Sequence, residues 1–564
     1  MSGRRANHRI RLLLFSFGLL FVVAIARATY VQAAQHDRFT KMATTQYRET
    51  IEIPAARGTI YDRTGEPLAI GEQATTVYAN PQNIIDAQRA AVVTGKALGM
   101  SADALYPVLK DRSKGFVYVA RKADPLKANA LAEQEIPGLA FYPEELRTYP
   151  QGGVASHVLG FAGTDNRGLD GLERSLDKTL AGRSGFETIV KDPFGRAIDV
   201  VTSRPERAGK NVTLTIDHQI QANAEQVVAE KVKEYNARGG TAIVMDTRTG
   251  AILAMANYPT FNSNNFSTAS PDARRNRAVT DAYEPGSTFK IVAVAGALED
   301  NVVSPTTRFK LAPTIQVADR VIREAHTRGT EVMTVKEILS QSSNIGTITI
   351  AQKLGQGELA SWIDRFGFGK PTGIDYPGES SGLVLPLDEW SGSTIGNVPI
   401  GQGIAVTPLQ MVSAYATIGN GGLRHTPRLI EKIGTKRVTP KRGTRVVSRH
   451  TAERMMAMFR DVVVEGTGTE AAIPGYTVAG KTGTAQKAEN GRYVRKYVAS
   501  FVGLVPAKQP RFAILVMVDE PKGNIYGGVV AAPAFRDIAR FNLQYLEVPP
   551  DAPETRVAGG ATNP

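Results

Sequence analysis

The chain has 564 residues, 42% apolar and 21% charged, which is too long for one hydrophobic core and ordinary for two to four globular domains. It has no cysteine, which excludes a disulfide framework, a cysteine nucleophile and thiolate metal sites, and its seven histidines lack ligand-like spacing, so neither metal nor other cofactor is expected. The formal charge of +13 includes no lysine- or arginine-rich block beyond residue 11 and no nucleic-acid-binding motif, which points first to a solvated surface with no specific partner, an anionic envelope surface being as good a partner for diffuse basic charge as nucleic acid.

Arg4, Arg5, Arg9 and Arg11 precede residues 12–26, where only Ser16 and Gly18 interrupt an aliphatic and aromatic run, and the first acid is Asp37. A bilayer needs about twenty apolar residues. Continuing through Arg27, which can snorkel to the interface, gives a transmembrane anchor over 12–34. The stretch "AIARA" offers a signal-cleavage site as the alternative, but helical composition continues past it and favours an uncleaved span. Under the positive-inside rule residues 1–11 form a cytoplasmic tail and everything after residue 36 lies outside, which argues against ATP-dependent chemistry.

Residues 36–205 read as a mixed, loop-rich domain with short strands. In "IEIPAARGTIYDRTGEPLAI" (51–70), β-branched stretches flank turn residues, and "GLDGLERSLDKTLAGRSG" (168–185) reads as a helix ended by Gly182. From 206 the texture changes. A strand leads to Asp217, which opens a long amphipathic helix, and "GGTAIVMDTRTGAILAMANY" is a hairpin. "YTVAGKTGTAQK", "YVASFVGLVPA" and "RFAILVMVDEP" give three more strands. Helices are expected over 288–300, 335–341, 345–354, 408–419 and 449–465, with "TVKE" (334–337) a capping box. Strands at both ends with helices between them imply an α+β domain over 206–547 built on an antiparallel sheet. A Pro-, Ala- and Gly-rich tail, 548–564, is expected to be disordered.

The chemistry gathers around "YEPGSTFK" (283–290). Ser287 could simply cap the following helix, but a capping box would place Glu or Gln three residues on, and the chain has Lys290 there, a cation beside a positive helix end. Serine and lysine at i and i+3 share a face, so the amine can reach the hydroxyl. An amine acts as a base only when neutral, a state that burial beside a second cation would favour, so a further lysine should lie close. A chain this long should hold on the order of two S-x-x-K matches by chance, and "SLDK" (175–178) is one such decoy. "SSN" (342–344) has a rival in "SNN" (263–265), whereas "KTGT" (481–484) occurs once. Read separately, Ser342 and Asn344 could cap the next helix, Lys481 could be an exposed strand lysine and Gly483 a bulge. Three motifs in this order, 55 and 139 residues apart, argue for one site.

That ordered set is similar to the signature of penicillin-binding proteins and β-lactamases, and nearly the whole chain resembles a class B penicillin-binding protein. "RGTIYDRTGEPLA" (57–69) and "GLDGLE" (168–173) resemble that family's pedestal, and "FGFGKPTGIDYPGE" (366–379), "GQGIAVTPLQM" (401–411) and "YGGVVAAPAF" (526–535) its transpeptidase domain. The Glu-Pro-Gly before Ser287 resembles the cell-division type. The resemblance implies a membrane helix, an elongated pedestal over 36–205, and a transpeptidase domain whose five-stranded antiparallel sheet is flanked by helices. It implies Ser287 as the nucleophile attacking D-Ala–D-Ala stem peptides and Lys290 as its base. Ser342 would relay a proton to departing D-alanine, with Asn344 orienting substrate and Lys290. Lys481 would be the neighbouring cation, the hydroxyls of Thr482 and Thr484 would bind the terminal carboxylate, and Gly483 would permit close approach. The N–H groups of Ser287 and Thr484 would form the oxyanion hole. Implied partners are a peptide-amine acceptor, β-lactams, the bacterial plasma membrane bilayer, a glycosyltransferase of the shape–elongation–division–sporulation type and divisome proteins. A β-lactamase, a carboxypeptidase or a non-enzymatic penicillin sensor would share the motifs, but the pedestal and anchor favour the transpeptidase, and eleven cytoplasmic residues leave no room for a signalling region.

Overall fold

Gly3–Ala34 forms one helix in the computed structural model, which describes residues 3–39, 48–191, 197–489 and 491–552. Its stretch Asn7–Ala34 is long and apolar enough to cross a membrane, and none of it is buried against protein. A run of exposed leucine, phenylalanine and valine side chains of this length fits a hydrocarbon environment. Residues 1–56 and 182–209 make one compact unit, which also holds a three-stranded antiparallel sheet of Arg48–Ile53, Gly185–Lys191 and Ala197–Arg204.

The second compact unit takes residues 57–181 and everything from 210. The "DRTGEP" turn forms because Asp62 Oδ1 accepts from the N–H and hydroxyl of Thr64 and from Glu66 N–H, which reverses the chain between Ile60–Tyr61 and Pro67–Ala79. Ile60–Tyr61 also pairs in parallel with Val212–Leu214, and that strand pairs with Ile430–Ile433, so one sheet combines distant parts of the sequence. The single helix expected over 168–185 is instead two short turns, Gly171–Ser175 and Asp177–Leu180, interrupted at Leu176. The cause is Glu173. Its carboxylate is fully buried between Arg57 (2.6 Å) and Arg147 (2.7 Å), while Asp177 takes a second Arg57 nitrogen at 2.8 Å. Removing one partner from such a cluster would leave a buried charge uncompensated.

The five-stranded sheet runs Ile252–Tyr258, Gly239–Asp246, Phe512–Asp519, Arg492–Val505, Ala479–Glu489, antiparallel throughout, as the sequence leads one to expect. Both faces are covered, which explains the unbroken apolar runs. Ala242 and Val244 pack into one core with the helices His218–Glu234 and Ala532–Tyr545, whereas Ile243 and Met245 enter the other with Lys290–Glu299, Pro408–Gly419 and Arg449–Val464. Asp217 caps the first of these helices, and the Thr334–Glu337 capping box is present. Within the tail expected over 548–564, residues 548–552 are described and tied down: Tyr476 donates to the Val548 carbonyl at 2.6 Å, and Thr477 N–H to Asp551 at 2.6 Å. Residues 553–564 lie outside the described residues.

Candidate active site

Ser287 lies in a single 3-10 turn, Gly286–Phe289, that leads into Lys290–Glu299. Its hydroxyl caps nothing. Thr288 closes the turn instead, donating to the Pro285 carbonyl at 2.8 Å, and Tyr415 O–H fixes the Thr288 carbonyl at 2.9 Å. Ser287 stays half-exposed, while three residues on Lys290 is wholly buried. The turn is set hard against the edge strand Ala479–Glu489, and two glycines permit this. Gly286 has φ +56°, and a Cβ there would lie 3.1 Å from the Thr484 carbonyl. A Cβ on Gly483 would meet Ser500 Oγ at 2.4 Å and the Pro285 carbonyl at 3.0 Å. Gly483 sits in regular register opposite Ser500, so it is a close-approach glycine and no bulge.

Lys290 Nζ donates to the Ser342 carbonyl (2.6 Å) and Asn344 Oδ1 (2.8 Å) and lies 3.3 Å from Ser342 Oγ, whose hydroxyl can donate to the neutral amine. Among the described residues, Ser287 Oγ is not one of its hydrogen-bond partners. Neither Ser342 nor Asn344 serves as the helix cap. Ser343 does, accepting from Gly346 N–H at 2.9 Å, and Ser342 takes φ +61° so that its carbonyl and hydroxyl both face the amine. Holding a non-glycine residue in that region costs of order 1–3 kcal/mol, which the surrounding contacts must offset.

Lys481 is also fully buried, its Nζ 3.3 Å from both the carbonyl and Oγ1 of Thr482. Burial pushes Lys481 down to about 7. Lys290 lies well below its usual value, first because it is buried and then because Lys481 and Arg328 add positive potential, with Glu324 opposing them. Burial and the neighbouring cations both favour the neutral form of the Lys290 amine, the form a general base needs. Thr482 Oγ1 meets Thr467 Oγ1 at 2.7 Å, and Thr484 Oγ1 accepts from Gly527 N–H at 3.1 Å, which leaves the Thr484 proton free to donate outward. The turn carrying Ser287, the helix opened by Lys290, the 342–344 segment and the edge strand thus bring together Ser287, Lys290, Ser342, Asn344, Lys481, Thr482, Gly483 and Thr484.

The sequence reading missed what holds the middle motif. Glu324, on the segment before Glu331–Thr334, accepts from Ser343 O–H (2.6 Å), Asn344 N–H (2.8 Å) and Ile345 N–H (3.2 Å) and pairs with Arg328. It is a carboxylate seated on a helix N-terminus, a favourable place for negative charge. No local pattern announces it twenty residues upstream. Thr467, which fixes Thr482, was equally silent. His326 and Tyr526 pair their rings at 5.7 Å and so connect this segment to the residues before Gly527. Because Glu324 raises the Lys290 pKa, Glu324→Gln should move the acidic limb of Ser287 acylation to lower pH. Stopped-flow acylation against pH would show this, and a limb that stays in place would mean the Glu324 charge does not reach Lys290.

Residues 240–540 match the family model described as penicillin binding protein transpeptidase domain, and residues 52–214 the one described as penicillin-binding protein dimerisation domain. Peptidoglycan D,D-transpeptidase FtsI of Escherichia coli K12 is 35% identical over 543 residues, 95% of this chain and 91% of that protein. Stage V sporulation protein D of Bacillus subtilis is 33% identical, covering 98% of this chain and 88% of its own length. Among solved structures, penicillin binding protein 3 of Mycobacterium tuberculosis complexed with aztreonam superposes with a TM-score of 0.72 at 32% identity, over 89% of this chain and 99% of that one.

Proposed function

Since this chain belongs to the class B penicillin-binding proteins of the cell-division type and is a serine-type peptidoglycan D,D-transpeptidase, we propose that its reaction runs through Ser287 with Lys290 as base. The observation that carries this reading is a fully buried amine one helical turn after a half-exposed serine, bound to Ser342 and Asn344 and, among the described residues, bonded to no carboxylate. Neutral Lys290 takes the Ser287 proton as Oγ attacks the carbonyl of the penultimate D-alanine. The oxyanion is met by the Ser287 N–H, which at a helix start has no intrahelical acceptor, and by the Thr484 N–H of the edge strand. As the tetrahedral intermediate collapses, the C–N bond breaks and the Lys290 proton passes through Ser342 O–H to the departing D-alanine amine. A second stem-peptide amine then attacks the ester, gives its proton to Lys290, and Ser287 leaves with that proton. Thr482, Thr484 and Lys481 hold the donor's terminal carboxylate.

In the same reading residues 36–205 are the pedestal and 206–547 the catalytic domain, supported by the two family matches at 52–214 and 240–540. The chain fits a single-pass membrane protein. The arginines ahead of the span favour a cytoplasmic N-terminus and an extracytoplasmic catalytic domain. A membrane glycosyltransferase and divisome proteins are the partners this placement suits. The test is to supply a D-Ala–D-Ala donor with a large excess of peptide amine and follow products by mass spectrometry. Cross-linked dimer plus one D-alanine per turnover is expected, and exclusive release of the shortened donor by hydrolysis would assign the chain to the carboxypeptidases.

A further inference from the structure

At the opposite end of the five-stranded sheet lies a cleft of about 960 Å³ that the transpeptidation reaction does not use. It is bounded by the end of Pro408–Gly419, the exposed side of Arg449–Val464, the 506–511 turn, the turn carrying Arg248, and Val548–Asp551. The 506–511 turn follows the strand in which Ser500 pairs with Gly483. At about 3.3 Å per residue, the six residues from Ser500 to Pro506 place the cleft about 20 Å along the sheet from Gly483 and the catalytic motifs. Five cationic side chains line it (Arg248, Arg449, Arg460, Lys508, Arg511) against two acids. One of the two, Asp551, is already engaged by Thr477 and Lys508. Among the described residues none of the four arginines has an ion-pair partner. Arg511 Nε is buried without a hydrogen-bond partner, and Arg248 adds like charge beside it. Arginines without a direct ion-pair partner are suited to bidentate carboxylates.

We propose that this cleft is a docking groove for an acidic peptide segment of a partner protein. Its floor is apolar, with Ile418, Ala452, Met456 and Pro506 buried, and its charges stand on the walls. An inorganic anion would fill little of that volume and leave the floor wet, whereas a peptide alternating carboxylates with aliphatic side chains matches both. Among the described residues no aromatic ring lines the cleft, so a nucleic-acid strand would find nothing on which to stack its bases.

Full-length protein in detergent should bind a fluorescent decapeptide carrying four glutamates and three leucines saturably, with affinity falling as salt rises. Arg449 and Arg460 lie on the same helix and are exposed. The double charge reversal Arg449→Glu/Arg460→Glu should weaken binding more than tenfold and leave the rate of penicillin acylation unchanged, which also reports that the variant folds. Absence of saturable binding, equal binding of the glutamine analogue, or indifference to the charge reversal would overturn the proposal. So would displacement of the peptide by equimolar inorganic phosphate. Charge-reversal-sensitive binding to phosphatidylglycerol vesicles in preference to the peptide would make the cleft a lipid site and overturn it too.

Discussion

Replacing Lys290 by arginine should slow acylation of Ser287 by a β-lactam about 10²–10⁴-fold, the range that a positioned general base contributes. The guanidinium stays protonated at any accessible pH and so cannot accept the Ser287 proton. It also puts a permanent charge beside Lys481 at a fully buried position, so arginine should lower thermal stability as well. Lys290→Met separates the two effects. It removes the amine without adding a charge and roughly keeps the volume, so it should fold normally and acylate as slowly as the arginine variant. The wild-type rate should rise with pH through the depressed pKa of Lys290 and then level, because only the neutral amine is competent. The methionine variant should lack that limb altogether. Unchanged acylation kinetics in a folded variant would remove Lys290 from the reaction and require another base for Ser287.

The parts of the site visible in the sequence are those whose chemistry dictates residue type at fixed spacing. Ser287 and Lys290 share a helical turn, and the three consecutive residues 342–344 and the four at 481–484 each stay together on one element, so each motif survives as a short string. Its supports do not. Glu324 reaches the helix of Asn344 from a separate segment, Thr467 reaches Thr482 from the end of another helix, and Gly401 meets Gly286 through backbone alone, accepting its N–H at 3.1 Å. Such contacts exist only after folding. The five-stranded sheet was legible because burial of both faces leaves long apolar runs. The 168–185 segment misled because its helical spacing is overridden by burial of Glu173 between two arginines. The helix Ala532–Tyr545 had a readable apolar face in Phe535, Ile538, Ala539 and Leu543, yet the expectation placed no helix there. The pedestal helix Pro125–Ala132 is different: alanine-rich and without a strong apolar stripe, it forms because Ala128 and Leu131 bury into a small core of their own.

The fate of the acyl group is where transpeptidase and β-lactamase diverge. Hydrolysis needs a carboxylate free to activate water beside the ester. Two carboxylates beside the motifs are occupied. Glu324 is held by Arg328, Ser343 and two helix N–H groups, and Glu284, three residues before Ser287, accepts from Gly403 N–H (2.9 Å) and Tyr493 O–H (3.1 Å). An acylated Ser287 should therefore wait for an amine. Intact-mass spectrometry after a short pulse of benzylpenicillin reads this directly. One adduct of the drug's mass should appear, map to the peptide containing Ser287, persist for many minutes, and be lost in Ser287→Ala. An adduct on another residue, or release within seconds as hydrolysed penicillin accumulates catalytically, would contradict the account.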